Sequence, residues 1–485
     1  MRLGIRMPRV ACRTPIGFLE WNLRSKGSTC RRVLHMTSQR ASGNSQQVPA
    51  TWLRRVLEDD HKPPKLYAWT PDSISSGAAR LKKTAGANSG DDERRRIHIL
   101  GIGNMGRLYA TCLAKLANRP PIALVVHRKE LLEHWVSQPG IEFTRHGKVG
   151  KNTDFDIEWW TDEQPTQGPV TEPASGRGIS NLVVATKASD AIPQVDRLRG
   201  YLDSNSTVAF TQNGMCKLWP PFGEQYVRAR FPGATSPSWI ACVTTHGVIS
   251  LGPFRSIHAS PADAWVGSVM MPKPKPENNT AGEGPSYLIE QIANAPDLAA
   301  RRVSMKELWV AQLEKLVVNA VINPLTAVLD CKNGELFVER GDGLSEVIDR
   351  LLDEASRTLR ALVRDPANDE IFAEPATKDR DGYALEHVAR RLAQAHEELD
   401  RRFALPRLRE MLLGVAAKVT ENTSSMLQDV RAGKQTEIND FNGWLVETAR
   451  YLDGDIRLPT HERLIALVKA RTTLTREEIC ERLLA

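Results

Sequence analysis

Apolar and polar positions along the chain change their period three times, and the changes mark its elements. Ile97-His98-Ile99-Leu100 is a short β-type run that stops at Gly101. From Met105 to Leu116 the apolar spacing becomes helical, through Leu108, Tyr109, Cys112 and Leu113, until Asn118-Arg119-Pro120-Pro121 breaks it. Ile122–Val126, Leu182–Ala185 and Val208–Phe210 are three further apolar runs. Strand, helix and strand at this spacing predict a parallel sheet with right-handed crossovers, an α/β domain. From about residue 287 strand patterns give way to amphipathic helical ones, so a mostly helical second domain is predicted.

Less periodic stretches frame these elements. Residues 1–95 read as a basic tail and linker, partly disordered, with 96–300 as the α/β domain and 301–485 as the helical one. Within the α/β domain, 145–180 and 272–286 carry Gly, Pro and polar residues and read as inserted surface loops.

Charge modifies this picture at one end only. The 485-residue chain carries a net +7, but residues 1–50 hold nine of its 65 Lys and Arg and one of its 58 acids. The remainder is neutral to within one charge, which argues against a nucleic-acid binder. An Arg-rich, acid-poor start fits a mitochondrial import segment, with a basic tail or an upstream extension as the alternatives. A matrix location is the expectation, a cytoplasmic one its alternative. No apolar stretch is long enough to span a bilayer. The seven cysteines are scattered without a Cys-x-x-Cys pair, so neither a disulfide framework nor a metal site is predicted.

Candidate chemistry begins at Gly101-Ile102-Gly103-Asn104-Met105-Gly106, a G-x-G-x-x-G between a strand and a helix. The glycines permit a tight turn, close approach to a pyrophosphate, and helix–sheet contact. In that context a dinucleotide site is favoured over a plain turn. The next strand ends Val126-His127-Arg128-Lys129 with no acid before Glu130. A guanidinium there suits the 2′-phosphate of NADP, helped by a second cation; a solvated basic turn is the alternative. Lys187 and Gln212-Asn213-Gly214 emerge at two further strand ends, where ligands of open α/β sheets lie.

The segment from Glu307 to Thr326 has a core stripe of Leu313, Leu316, Val317, Ala320 and Val321. Lys315, Asn319 and Asn323 fall together on another side. Asparagine is a poor helix-interior residue, so two of them in an apolar helix need a reason. They are core amides satisfying backbone groups, a solvent-facing stripe with one lysine, or a cleft wall that receives a small anionic carbonyl compound.

The string from Lys315 through Asn319, Asn323-Pro324 and Thr326 to Asn333-Gly334-Glu335 resembles the signature of the ketopantoate reductase family. A second block, Glu421-Asn422 through Ser425, Asp429, Glu437 and Asn442-Gly443, is similar to that family too, as are Gly101, Arg128, Lys187, Asn213 and Thr244–Gly247. The resemblance covers about residues 96–485 and implies a Rossmann domain joined to a helical domain, with the active site between them. It implies NADPH-dependent reduction of 2-dehydropantoate to (R)-pantoate, a step toward pantothenate and coenzyme A. Lys315 would be the proton donor and Glu437 its acidic partner. Asn213, Asn319, Asn323 and Ser425 would bind the substrate. Gly101 to Gly106, Arg128, Lys187 and Asn213 would hold NADP(H). Partners are then a small 2-oxo acid and, for assembly, a second copy in a homodimer. A different branched 2-oxo acid is the alternative substrate, and a catalytically silent mitochondrial binding factor the alternative of another class. The role of His246 stays open between site and structure.

Overall fold

The structure, a computed structural model, describes residues 50–74, 90–270, 284–372 and 384–485. The presequence-like segment up to residue 49, and most of the 272–286 stretch, lie outside the described residues.

Thirteen described strands form two sheets. They are β1 (Tyr67–Trp69), β2 (Ile97–Leu100), β3 (Ile122–Val126), β4 (Ile141–Arg145), β5 (Lys148–Asn152), β6 (Asp156–Thr161), β7 (Asn181–Val184), β8 (Thr207–Phe210), β9 (Ser238–Thr244), β10 (Gly247–Gly252), β11 (Arg255–Ser260), β12 (Ala264–Ser268) and β13 (Ala300–Arg302). The main sheet runs β1-β6-β3-β2-β7-β8-β9-β12-β13, and β10-β11-β4-β5 form a small second sheet. From β6 through β9 all pairs of the main sheet are parallel. Its central strands β2, β3, β7 and β8 are buried at every position, as expected of strands covered on both faces. From β2 the chain moves to β3 on one side and later returns to β7 on the other. The order therefore switches beside β2, which is where such sheets open a ligand crevice.

The helices that concern the site are α1 (Thr51–Glu58), α2 (Asn104–Leu113), α3 (Ala188–Arg197), α4 (Met305–Leu329), α5 (Leu344–Arg364), α6 (Ser425–Arg431), α7 (Ile438–Leu452) and α8 (Pro459–Lys469). The 25-residue α4 begins at a reciprocal cap: Glu307 N–H donates to Ser304 Oγ (3.2 Å), and Ser304 N–H donates to Glu307 Oε2 (2.8 Å). It is apolar around most of its circumference and runs through the middle of the helical domain, touching α5, α6, α7 and α8.

Three stretches differ from the sequence reading. Residues 50–74 are ordered and belong to the α/β domain. Strand β1 pairs antiparallel with β6, Ala68 opposite Trp160, and Leu53 and Leu66 are fully buried. Their apolar patches are too short to show a period, but the sheet edge and α/β surface exist to cover them. Residues 145–180 are only partly a loop. They include β5 and β6, and β6 is a parallel strand of the main sheet. The polar residues Asp156, Glu158 and Thr161 disguise β6, whose Ile157 and Trp160 are buried in the cores on its two faces. The strand β13, next to β12, extends the sheet past residue 287.

Burying a leucine is worth roughly 1.5–3 kcal/mol, so Leu53 and Leu66 make the 50–74 arm a stabilising part of the domain. A chain starting at residue 96 is expected to melt well below one starting at residue 50; equal melting temperatures would show that the arm adds no stability.

Candidate active site

Five parallel strands deliver chemistry-bearing residues to one edge of the sheet. Gly101 follows β2, Arg128 follows β3, Lys187 follows β7, Asn213 follows β8, and Thr244 closes β9. The glycine turn sits tightly against its neighbour: Gly101 has φ +94°, and a Cβ there would lie 3.0 Å from the Ala185 backbone. A Cβ on Gly106 would come within 2.0 Å of the Gly101 carbonyl, whereas one on Gly103 would meet nothing within 4 Å. Gly103 also caps α2 without any side-chain hydrogen bond to the first turn. Open space over an uncapped helix N-terminus fits a dinucleotide pyrophosphate. Arg128 is exposed, with no partner for its guanidinium among the described residues, as a phosphate site requires. Lys129, expected to assist it, instead lies over the Trp69 ring (5.6 Å) and near Glu133 (3.6 Å). Asn104 also turns aside: its amide donates to Val248 O (2.9 Å), tying α2 to the small sheet. Ile102 and Met105 pack partly against the core.

Lys315 reaches this edge from the helical domain. Its Nζ donates to Asn213 Oδ1 (2.8 Å) and to the Thr244 carbonyl (2.5 Å), so α4 is fastened to the ends of β8 and β9 together. An ammonium has three N–H donors, and these bonds leave one over. Burial drives the Lys315 pKa down to about 8, although Glu437 works against that shift. Asn213 in turn donates from Nδ2 to Glu437 Oε2 at 3.5 Å, a long bond. The buried Glu437 has its pKa raised, first by burial and then by Asp440, against the opposing pull of Lys187. Lys187 is paired with Asp429 Oδ2 (2.6 Å) across the cleft; Glu437 and Asp429 together outweigh the effect of burial and raise its pKa.

One and two turns beyond Lys315 stand Asn319, partly exposed, and Asn323, nearly buried. Asn323 Nδ2 donates weakly to the exposed Ser425 Oγ (3.4 Å). Beneath it Thr326 Oγ1 donates to Ser424 Oγ (2.7 Å), the cap of α6. The sequence-derived set thus falls into three groups, the glycine turn with Arg128, the cluster of Lys315, Asn213, Glu437 and Lys187, and the pair Asn323–Ser425, with Asn319 hydrogen-bonded to none of them. His246 belongs to none of them. It is buried, accepts from Ala262 N–H at Nδ1 (3.0 Å) and bonds Leu298 O through Nε2 (2.9 Å), which makes it a structural histidine.

A proline inside α4 explains a second polar network. Pro324 has no N–H, so the carbonyl four residues earlier, Ala320, loses its helical partner. Asn442 replaces it, donating from Nδ2 to Ala320 O (2.9 Å). The same amide meets His461 Nδ1 (2.9 Å), whose Nε2 bonds Leu351 O (3.0 Å). Burial lowers the His461 pKa to about 4, so the ring is neutral and Nδ1 is free to accept. Glu354 completes the arrangement by accepting from Thr460 N–H (3.0 Å) and His461 N–H (3.1 Å) at the start of α8.

Sequence reasoning missed several members. The Thr244 carbonyl carries no side-chain signal. Gln312 was legible as a polar residue three positions before Lys315; it accepts from the Trp219 indole and the Cys216 N–H (3.5 Å), holding the loop after Asn213. Asp440, whose carbonyl would be 2.8 Å from a Gly214 Cβ, holds the other side of that loop.

A glycine turn at the switch point, with a part-buried lysine held between two domains beside it, defines an oxidoreductase that works with a nicotinamide dinucleotide. The ketopantoate reductase PanE/ApbA model matches residues 97–270, and the model of its C-terminal part matches 307–472. The chain is 40% identical over 455 residues to a ketoisovalerate reductase of Beauveria bassiana, covering 90% of this chain and 98% of that one. It is 28% identical over 395 residues to a probable 2-dehydropantoate 2-reductase of Schizosaccharomyces pombe, covering 78% of this chain and 97% of the other. In fold it is similar to a solved D-mandelate dehydrogenase with NADH and anilino(oxo)acetate, with a TM-score of 0.51 at 14% identity over 80% of this chain and 99% of that one. The chain belongs to the ketopantoate reductase family.

Replacing Asn442 with leucine strands the buried Ala320 carbonyl and the His461 Nδ1. Each unsatisfied group costs about 1–3 kcal/mol. A correspondingly lower urea midpoint is expected for Asn442→Leu, and an unchanged one would show that the freed carbonyl finds another donor.

Proposed function

We propose that the protein reduces a short branched 2-oxo acid to the 2-hydroxy acid with NADPH, and that 2-ketoisovalerate is the preferred substrate. The reaction type rests on Lys315, a cation of depressed pKa with one donor to spare beside a dinucleotide turn. The choice of 2-ketoisovalerate is carried by the 40% identity to a ketoisovalerate reductase along 98% of that protein. A second reading, 2-dehydropantoate to (R)-pantoate, is supported by the 28% identity to the fission-yeast protein and by the polar set that could bind the extra hydroxyl.

Held at the Gly101–Gly106 turn, NADPH would supply the hydride for C2 of the oxo acid. Lys315 directs an N–H at the C2 oxygen, stabilises the negative charge that grows there, and gives up a proton to form the hydroxyl. Asn213 and the Thr244 carbonyl aim the ammonium, and water reprotonates the neutral amine afterwards. Asn319, Asn323 and Ser425 bind the carboxylate as neutral donors. Glu437 holds Asn213 and adds a compensating charge near Lys315. Arg128 takes the 2′-phosphate. Activity in the mitochondrial matrix accords with the basic first 50 residues.

NADPH oxidation should run faster with 2-ketoisovalerate than with 2-dehydropantoate, judged by kcat/KM; the reverse order supports the second reading. Lys315→Ala should lose about 10²–10⁴-fold with either acid. Because Lys315 acts in its protonated form, wild-type reduction should hold below its pKa and fall as pH rises through about 8. A rate that rises there, or a fully active Lys315→Ala, would remove the lysine from the mechanism.

Arg128→Ala should raise the KM for NADPH about tenfold, the loss of one charge-assisted bond, while leaving NADH kinetics nearly unchanged. Equal effects on both cofactors would show that Arg128 does not read the 2′-phosphate.

A further inference from the structure

Away from the catalytic cleft lies a second recess of about 1060 Å³, just above the usual range for small-molecule sites. Three parts of the chain wall it: the 50–74 arm, helix α3 of the α/β domain, and helices α7 and α8 of the helical domain. The arm precedes residue 97, where the match to the family model begins, so this wall lies outside the matched region.

Most charges lining the recess are already matched. Arg199 pairs with Asp196 (2.8 Å), Lys217 with Asp440 (3.5 Å), and Arg450 with Glu462. Arg55, Lys62 and Lys469 remain, cations from the arm and from α8 with no acidic partner among the described residues. Glu447 is the one lining acid in the same condition, so the unmatched charge is positive. Two indoles, Trp52 and Trp444, line the same space from opposite parts of the chain. Both are partly exposed, and neither N–H has a hydrogen-bond partner among the described residues. Unmatched cations and indoles lining one recess suit a ligand that joins an anionic phosphate to a flat ring.

The floor of the recess communicates with the catalytic cluster. Asp440 binds Lys217 through its carboxylate, and its carbonyl packs on Gly214. Gly214 follows Asn213, the residue that holds Lys315, and Glu437 precedes Asp440 by one helical turn. Anything that draws the arm toward α7 and α8 bears on that turn.

We propose that this recess is a second ligand site, separate from the dinucleotide crevice, that takes a mononucleotide and couples its binding to the Glu437–Asn213–Lys315 cluster through Asp440. Arg55, Lys62 and Lys469 receive the phosphates, and Trp52 and Trp444 flank the base.

The probe is ADP, titrated calorimetrically into the full chain with NADPH held at saturation, so that the crevice is filled. One ADP per chain is expected, together with a changed KM for the 2-oxo acid. Arg55→Glu combined with Lys469→Glu should weaken ADP about tenfold or more, as loss of charge-assisted contacts does. The same variant should keep the melting temperature and the rate without ADP. Failure of ADP to bind at saturating NADPH, binding that only competes with NADPH, or affinity undiminished in the variant would each overturn the site. Binding that moves neither KM nor kcat would overturn the coupling. The calorimetric result needs no turnover, so it is independent of which 2-oxo acid the enzyme reduces.

Discussion

Lys315 is the point at which the two domains become one site. Its two bonds, to Asn213 Oδ1 and the Thr244 carbonyl, join the central helix of one domain to the ends of β8 and β9 in the other. Burial of an ammonium is costly unless donors find acceptors, so the same contacts that dock the domains keep the lysine in place. Its lowered pKa follows from that position, since packing penalises the charged form. Docking, proton affinity and orientation therefore share one cause. The Lys187–Asp429 pair and the close approach of Gly214 to Asp440 reinforce the joint on either side.

Behind that joint, α4 carries a defect that the fold repairs. Pro324 frees the Ala320 carbonyl in a buried helix, and Asn442 answers it while held by the neutral His461. The repair lies between Lys315 and Asn323, so it also fixes the rotation of the face on which both stand. Polar groups of the helical core, Glu354 included, thereby set the geometry of side chains that are not themselves in contact with them.

Much of the site was legible because its signals are local. The glycine turn is read from three glycines between a strand and a helix, and the structure supplies the open space above Gly103 and the close contact at Gly106 that those glycines imply. Lys315, Asn319 and Asn323 were legible because helical spacing is a property of sequence alone. The position of Lys129 was not legible, since nothing local reveals that Trp69 of the arm lies within its reach. The arm itself was misread as linker, and β6 as loop. In both, the apolar residues are few, and only a sheet edge formed by distant segments makes their burial possible.

By itself the sequence determined the central strands β2, β3, β7 and β8 with helix α2, the dinucleotide turn, the polar stripe on one helix and the family, because each depends on spacing within a short window or on an ordered set of motifs. The tertiary structure alone decided that Asn213 and the Thr244 carbonyl would be the partners of Lys315, that Asn442 would serve the carbonyl freed by Pro324, and that the arm would be a wall of the α/β domain. Those are contacts between segments 71 to 122 residues apart, or between an arm and a sheet edge. A hydrogen bond at that separation depends on how the sheet and the helices settle against each other, which no local pattern encodes.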